Sequence, residues 1–198
     1  MNLYLVRHGQ TVGNSEGRYI GTYEEELSQY GISQIENSKR LIKNVCFDKV
    51  FSSNRKRAMD SAKILVDNKV ICDHRLNERN FGIFENKTYR EICENYPIDQ
   101  KAWEEDWINY KISDGESVKE VYERAVEFTR MIEKEDCKNC LVVTHGGIIR
   151  LIYCYILGGN LNNFWRFDPR NGSVTILKFT YDNWYIDSIM QLDMDDSK

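Results

Sequence analysis

Four short apolar runs, each closed by polar or glycine residues, punctuate the chain at 3–6, 50–52, 70–72 and 141–144. The run at 3–6, apolar without strict alternation, reads as a strand buried on both faces, 141–144 as another fully apolar strand, 50–52 as a second core strand and 70–72 as a short third strand, so they predict a sheet covered by helices. Between them the apolar positions change to a helical period. Ile32, Ile35, Leu41 and Ile42 define a helix from Ser28, its N-cap, to about Lys43, and a second helix is entered through 53–58 and runs to Val66. Val121, Ala125, Phe128 and Ile132 share one face of a third, opened by 113–117 and running to about Lys134, and a fourth is predicted over 148–157. The runs 173–179 and 184–189 flank Thr180-Tyr181-Asp182-Asn183, a hairpin signal, and the first of them is expected to join the sheet edge antiparallel. Strands alternating with helices give an α/β fold, a three-layer sandwich whose mostly parallel central sheet carries an antiparallel edge strand. The 198 residues read as one domain, 1–198, with an aromatic-rich stretch at 87–112 (Tyr89, Tyr96, Trp103, Trp107, Tyr110) whose ordinary role is packing.

Chemistry collects where two of these strands end. The first run delivers Arg7 and His8 to its carboxyl end, followed by Gly9, and the run at 141–144 ends in His145-Gly146-Gly147 with a helix directly after. Open α/β sheets bind ligands at the carboxyl ends of their strands. An imidazole beside a guanidinium, with a glycine that admits close approach, suits a phosphate site with a nucleophile built in, and Thr11 and Asn14 add a hydroxyl and an amide. The alternative from residue types alone is that Arg7 pairs with a carboxylate and His8 merely caps a strand. A second strand-end histidine before a helix N-terminus favours a shared anion site. Arg55-Lys56-Arg57 opposes the dipole at a helix start, which hints at an anionic partner, although such runs also form solvated faces. Glu24-Glu25-Glu26 reads as a solvated acidic turn, with a substrate role as the alternative.

The net charge of −4 and isoelectric point near 5.5 exclude a general nucleic-acid or anionic-membrane binder, since such partners need a broad cationic face. The partner expected instead is a small phosphorylated metabolite held by a local cluster of cations. No basic leader with an apolar segment and no apolar run of membrane-spanning length is present, so a cytoplasmic protein without membrane attachment is expected. The six cysteines fit a reducing compartment. Cys137 and Cys140 form the one spacing that suggests a metal or redox site, and with no second pair they read as structural, Cys137 ending a helix and Cys140 opening a strand. His74 reads as a solvated loop histidine, and the acidic tail 193–198 as frayed.

Arg7-His8-Gly9 with Thr11 and Asn14 resembles the signature of the histidine phosphatase superfamily, the phosphoglycerate-mutase-like proteins. Further blocks carry the same resemblance. Ser53-Asn54-Arg55-Lys56-Arg57-Ala58 is similar to Ser-x-x-x-Arg-Ala, and the stretch from Leu76 to Glu85 to the block bearing the catalytic acid. Ser113-Asp114-Gly115-Glu116-Ser117 is similar to a Gly-Gly-Glu-Ser block, His145-Gly146-Gly147 to the second histidine motif, and Asn171-Gly172-Ser173 to a pocket-shaping turn. The resemblance implies a phosphoglycerate-mutase-like fold and a phosphohistidine mechanism without metal or cofactor. In it His8 is the nucleophile, Glu78 the general acid and His145 a donor to the phosphoryl group. Arg7 and Arg57 clamp that group, and Thr11, Asn14 and the Gly146 backbone complete the cradle. Arg18 and Asn171 stand at the substrate rim, Glu85 orders its loop, and 87–112 passes over the site so that some of its rings wall the substrate.

The chain departs from the pattern at Arg55, usually apolar; at Phe84, usually tryptophan; and at Asn86 and Asp114, both usually glycine. If position 86 requires a positive φ, glycine would serve it better. The blocks at 81–96 and 103–116 look most like the small bacterial α-ribazole-phosphate phosphatases of cobalamin biosynthesis. The alternatives are mutase-type phosphoryl transfer, whose enzymes carry site-closing insertions that this compact chain lacks, and a non-catalytic phosphate-binding protein on the same fold. The latter would be attractive if His8, Glu78 or His145 were missing, and all three are present.

Overall fold

The computed structural model describes residues 1–191, and the acidic tail 193–198 lies outside the described residues. Strand β1 (Asn2–Arg7) is the axis of the sheet. It pairs in parallel with β4 (Asn139–Thr144) and antiparallel with β5 (Val174–Thr180). With β2 (Lys49–Ser52), β3 (Val70–Cys72) and β6 (Asn183–Met190) the order is β3-β2-β4-β1-β5-β6.

Alternate residues of β1 build the two faces. Leu3 and Leu5 enter a core made with α6 (Val118–Ile132) and α7 (Gly146–Ile156). Val6 enters the opposite core with α2 (Gln29–Ile42) and α3 (Lys56–Leu65). Leu3, Leu5 and Val6 are completely buried, each contributing about 1.5–3 kcal/mol of transfer free energy. α2 begins where Ser28 accepts a hydrogen bond from the Gly31 N–H at 3.0 Å, and Gly31 lets that helix close on the signature loop, since a Cβ there would lie 2.1 Å from the Gln10 carbonyl oxygen.

The hairpin joins the sheet antiparallel as expected, with β5 beside β1 and β6 at the edge. β3 forms as the short strand expected and pairs with β2 at the opposite edge, where Ile71 and Cys72 are exposed. α7 starts two residues early, at Gly146, which glycine tolerates because the first N–H groups of a helix lack internal partners anyway. α6 stops at Ile132, so Cys137 follows it in the turn before β4, where Cys140 is buried.

Between β3 and α6 the chain makes its excursion, two short helices α4 (Tyr89–Asn95) and α5 (Pro97–Glu105). A separate small core of Phe84, Ile92 and Ile112, with Tyr19, Tyr96, Trp103 and Tyr110 packed around it, holds the excursion together. Thr88 and Glu91 form a capping box at α4, and Pro97 opens α5. Asn86 and Asp114, the two residues standing for glycine, have φ of 57° and 59°. No L-residue other than asparagine or aspartate tolerates this region well, and glycine is freer still. Asn86→Gly and Asp114→Gly are each expected to raise stability by about 0.5–1 kcal/mol, read as an upward shift of the urea midpoint at unchanged slope.

Among the described residues no helix is long and apolar enough to cross a membrane, and no group of three His, Cys, Asp or Glu side chains could hold a metal ion. His74 is exposed at the start of a 3₁₀ turn.

Candidate active site

The parallel register of β1 and β4 places Arg7 opposite Thr144, which brings the residues that follow them side by side. The His8 N–H donates to the Thr144 carbonyl at 3.0 Å, and the His8 and His145 rings lie 5.0 Å apart. His8 is 2% exposed and His145 fully buried. His8 Nδ1 is 2.7 Å from the Gly9 carbonyl; a carbonyl only accepts, so Nδ1 carries the hydrogen and Nε2 presents a lone pair. Burial foremost, then the positive charges of Arg57 and Arg7, hold the His8 pKa well below the usual imidazole value. His145 is held down in the same way by burial and by Arg57. Its Nε2 is 2.8 Å from Ser53 Oγ, and its Nδ1 is buried without a protein partner.

Two guanidiniums close on the same place. Arg7 donates from Nη1 to the Pro169 carbonyl at 2.9 Å, and burial lowers its pKa to about 10, which still leaves it charged at neutral pH. Arg57, fully buried, donates from Nη1 to the Tyr23 carbonyl at 3.1 Å and from Nη2 to those of Ile20 and Gly21 at 3.1 and 3.0 Å. Nε of both arginines is buried without a protein partner. An unpaired buried donor costs about 1–3 kcal/mol, and an oxyanion is the acceptor that suits guanidinium N–H groups best.

The two motif carboxylates have different work. Glu85 accepts the backbone N–H groups of Gly21, Thr22, Tyr23 and Phe81 at 2.8–3.2 Å. The loop at 20–23 is thus gripped through its carbonyls by Arg57 and through its N–H groups by Glu85. Glu78 instead lines the open cavity, its oxygens accepting from Arg79 N–H at 2.9 Å and Gly147 N–H at 3.1 Å. A second arginine–glutamate pair holds the loop that carries it. Arg124, 3.0 Å from Glu116, donates to the carbonyls of Arg75, Asn77 and Glu78 at 2.6–3.2 Å. Glu116 in turn accepts Asn80 N–H at 2.9 Å.

A Cβ on Gly147 would lie 2.3 Å from Glu78 Oε1. That oxygen ends a flexible side chain and moves more cheaply than backbone does. Gly147→Ala is therefore expected to keep its thermal midpoint within a few degrees and to lose about 10–100-fold in kcat/KM, on the scale of misplacing a catalytic group by about 1 Å; circular dichroism and steady-state kinetics check the two halves.

The cavity, about 330 Å³, has Arg7, Glu78, Gly146 and Gly147 among its lining, while His8, Arg57 and His145 are buried more deeply. Its wall is aromatic: Tyr19, Phe81, Trp103 and Trp107, with Phe164 and Trp165. Trp103 serves both readings of the excursion, packing under it and facing the cavity. Phe164 and Trp165 come from a 3₁₀ turn, Leu161–Arg166, that shows no periodic pattern in the sequence. Arg150 stacks on both rings, 5.3 and 5.2 Å from their centroids.

Four sequence-predicted residues make contacts within the protein. Thr11 accepts Asn14 N–H at 3.3 Å, and Asn14 Oδ1 accepts Thr11 N–H at 3.2 Å, the capping box of α1 (Val12–Ser15). Asn171 donates to the His8 carbonyl at 3.0 Å and to Asn14 Oδ1 at 3.2 Å. These three brace the signature loop. Arg18 does not line the cavity; it pairs with Glu16 and Glu91 at 2.7 and 2.9 Å and donates to the Asn86 carbonyl, which ties the excursion to α1. Ser53, Asn77, Arg124 and Gly147 went unassigned in the sequence, although Ser53 matches the serine of the Ser-x-x-x-Arg-Ala block.

Both histidines enter the native state neutral with lowered pKa, so below about pH 6.5 the unfolded chain binds protons that the native chain does not. Stability then rises with pH and is lost as pH falls. Between about pH 6.5 and 5, above the carboxylate range, the unfolding free energy is expected to decline with a slope approaching about 2.7 kcal/mol per pH unit, two protons' worth. Urea titrations across this window check it, and in His8→Ala the slope should halve.

Residues 3–191 match the histidine phosphatase superfamily, branch 1. The chain is 31% identical over 176 residues to the adenosylcobalamin/α-ribazole phosphatase of Salmonella typhimurium, with 87% of each chain covered. It is 31% identical over 193 residues to a metal-independent phosphoserine phosphatase of Arabidopsis thaliana, covering 94% of this chain and 79% of that one. The crystal structure of the α-ribazole phosphatase from Shigella flexneri superposes with a TM-score of 0.89 at 28% identity, covering 94% of each chain.

Proposed function

The chain belongs to the histidine phosphatase superfamily and is a phosphatase of small phosphorylated metabolites, and from that premise we propose that it works through a phosphohistidine on His8, with α-ribazole 5′-phosphate as substrate. His8 Nε2 attacks phosphorus, the N–P bond forming as the ester P–O bond breaks. Glu78 protonates the departing alkoxide, and its carboxylate then takes a proton from the water that cleaves the N–P bond and returns His8. Arg7, Arg57, His145 and the backbone at Gly146 hold the phosphoryl oxygens through the transition state. Two buried guanidiniums supply the positive charge that phosphoryl transfer needs, so the scheme calls on no metal.

The observation that carries this reading is that Arg7 Nε, Arg57 Nε and His145 Nδ1 are all buried without protein partners, on two arginines whose charges both depress the His8 pKa and on a ring 5.0 Å from that of His8. The aromatic wall supports the substrate: a flat heterocycle attached to a ribose phosphate can stack on it, and phosphoserine has no ring to do so. Free thiols at Cys46 and Cys72, both exposed, support a reducing, cytoplasmic setting.

Kinetics in the presence of a chelator test the proposal. Turnover of α-ribazole 5′-phosphate should persist, with kcat/KM about 5–150-fold above that for phosphoserine, one ring-stacking contact being worth about 1–3 kcal/mol. Loss of all turnover on chelation overturns the mechanism, and a preference for phosphoserine overturns the substrate.

A further inference from the structure

Ser53 and Asn77 take no part in the scheme above, yet their hydrogen bonds decide which nitrogen of His145 carries its hydrogen. The Asn54 N–H donates to Asn77 Oδ1 at 2.9 Å, which identifies that atom as the amide oxygen. Ser53 Oγ lies 2.8 Å from the same oxygen, so the hydroxyl hydrogen points there. The Ser53 oxygen accepts Arg55 N–H at 3.2 Å and faces His145 Nε2 at 2.8 Å. With the Ser53 hydrogen already committed, Nε2 must be the donor in that contact. The neutral ring then leaves Nδ1 as a bare lone pair, buried and unpartnered. His8 is held in the opposite tautomer by the Gly9 carbonyl.

A phosphoryl dianion also offers only lone pairs, and two acceptors cannot share a hydrogen bond. We propose that oxyanion binding in this site takes up one proton from solvent onto His145 Nδ1, and that Ser53 and Asn77 are the positioning residues that impose this coupling by locking the ring as Nε2–H. The proposal rests on the phosphatase reading and adds a proton to its binding step. The charged and titratable groups facing His145 are Arg57 on α3, Arg7 and His8 at the end of β1, Arg124 on α6 and Glu78 beside α7. In the free site the guanidiniums and burial disfavour an imidazolium. A dianion set between Arg7 and Arg57 reverses the local field, so the occupied site protonates the ring that the free site keeps neutral. The added hydrogen then points at a phosphoryl oxygen on which charge develops.

The chain has three histidines, so ¹⁵N-histidine spectra resolve the question directly. At pH 8 the free protein should show His8 as Nδ1–H and His145 as Nε2–H. Tungstate, an oxyanion that stays fully deprotonated through the neutral range, should convert His145 to the doubly protonated form. Calorimetry in two buffers of different ionisation enthalpy should give about one proton taken up per tungstate bound, and affinity should fall about tenfold per pH unit above neutrality. Ser53→Ala frees the ring to present Nδ1–H while neutral, so its proton uptake and pH dependence should collapse toward zero, and Ser53→Thr should restore both. An Nδ1–H tautomer at His145 in the free wild-type protein, or tungstate binding without proton uptake, overturns the inference while leaving the phosphatase reading intact. Failure of tungstate to perturb either buried histidine overturns both. The wild-type measurements decide the matter even if Ser53→Ala does not fold.

Discussion

His8→Ala should fold within about 2 kcal/mol of the parent and turn over phosphomonoesters at less than about 10⁻⁴ of the parental rate, the scale on which loss of a catalytic nucleophile acts. The side chain ends β1 with one hydrogen bond, Nδ1–H to the Gly9 carbonyl, while Asn171 holds the His8 backbone carbonyl whatever side chain is present. Its removal therefore leaves the strand end and the arginine clamp in place. The variant should still bind tungstate, since Arg7, Arg57 and His145 remain. Rapid quench with labelled substrate should trap an acid-labile, base-stable phosphoenzyme in the parent and none in the variant. Substantial turnover by a folded His8→Ala protein would exclude the covalent route.

Glu78→Gln should slow phosphorylation by an alkyl phosphate about 10²–10⁴-fold, the usual contribution of general acid catalysis, and phosphorylation by p-nitrophenyl phosphate far less. A simple alkoxide is strongly basic and needs a proton to leave, whereas p-nitrophenolate does not. Single-turnover measurement is required because the proposed scheme uses Glu78 again in the later hydrolysis step, which both substrates share. The substitution has a structural side: Arg79 N–H and Gly147 N–H each bond a different oxygen of Glu78, and a glutamine accepts only one of them well. Gly147→Ala controls for this, since it displaces the carboxylate but keeps its acid. If Glu78→Gln slows both substrates equally, as a misplaced group would, the side chain acts by position and not as the proton donor. Glu85 is not positioned to replace it, its oxygens being committed to four backbone N–H groups.

How much of this was legible in the sequence depends on how far apart the interacting groups lie along the chain. The apolar runs at 3–6 and 141–144 announced buried strands because two-sided burial demands apolar residues at every position. The run at 70–72 also reads as a strand, but whether a strand lies inside a sheet or at its edge is a property of its neighbours, which its composition does not record. The positive φ at Asn86 answers the question that the family's glycine at that position raises, because backbone sterics act within one residue. The contacts of Arg18, Thr11, Asn14 and Asn171 were not legible in this way. Thr11 and Asn14 stand in the cradle and Arg18 and Asn171 at the substrate rim by resemblance, and the protein acceptor or donor that each finds is one that only the folded loop supplies.

By itself, the sequence determined the layers of the fold, the two strand ends that carry histidines, and the residue types that suit a phosphate site, because hydrophobic period and side-chain chemistry are local properties. Only the tertiary structure decided that β5 runs beside β1, that Arg57 and Arg124 each grip a loop by its carbonyls, that Phe164 and Trp165 close the aromatic wall, and that the two histidines face each other in opposite tautomers. The reason is the same in each case. A hydrogen bond to a backbone carbonyl leaves no mark on the identity of the residue that owns the carbonyl, and the proton on His145 is placed by Ser53, 92 positions away in the chain, a distance that only strand register closes.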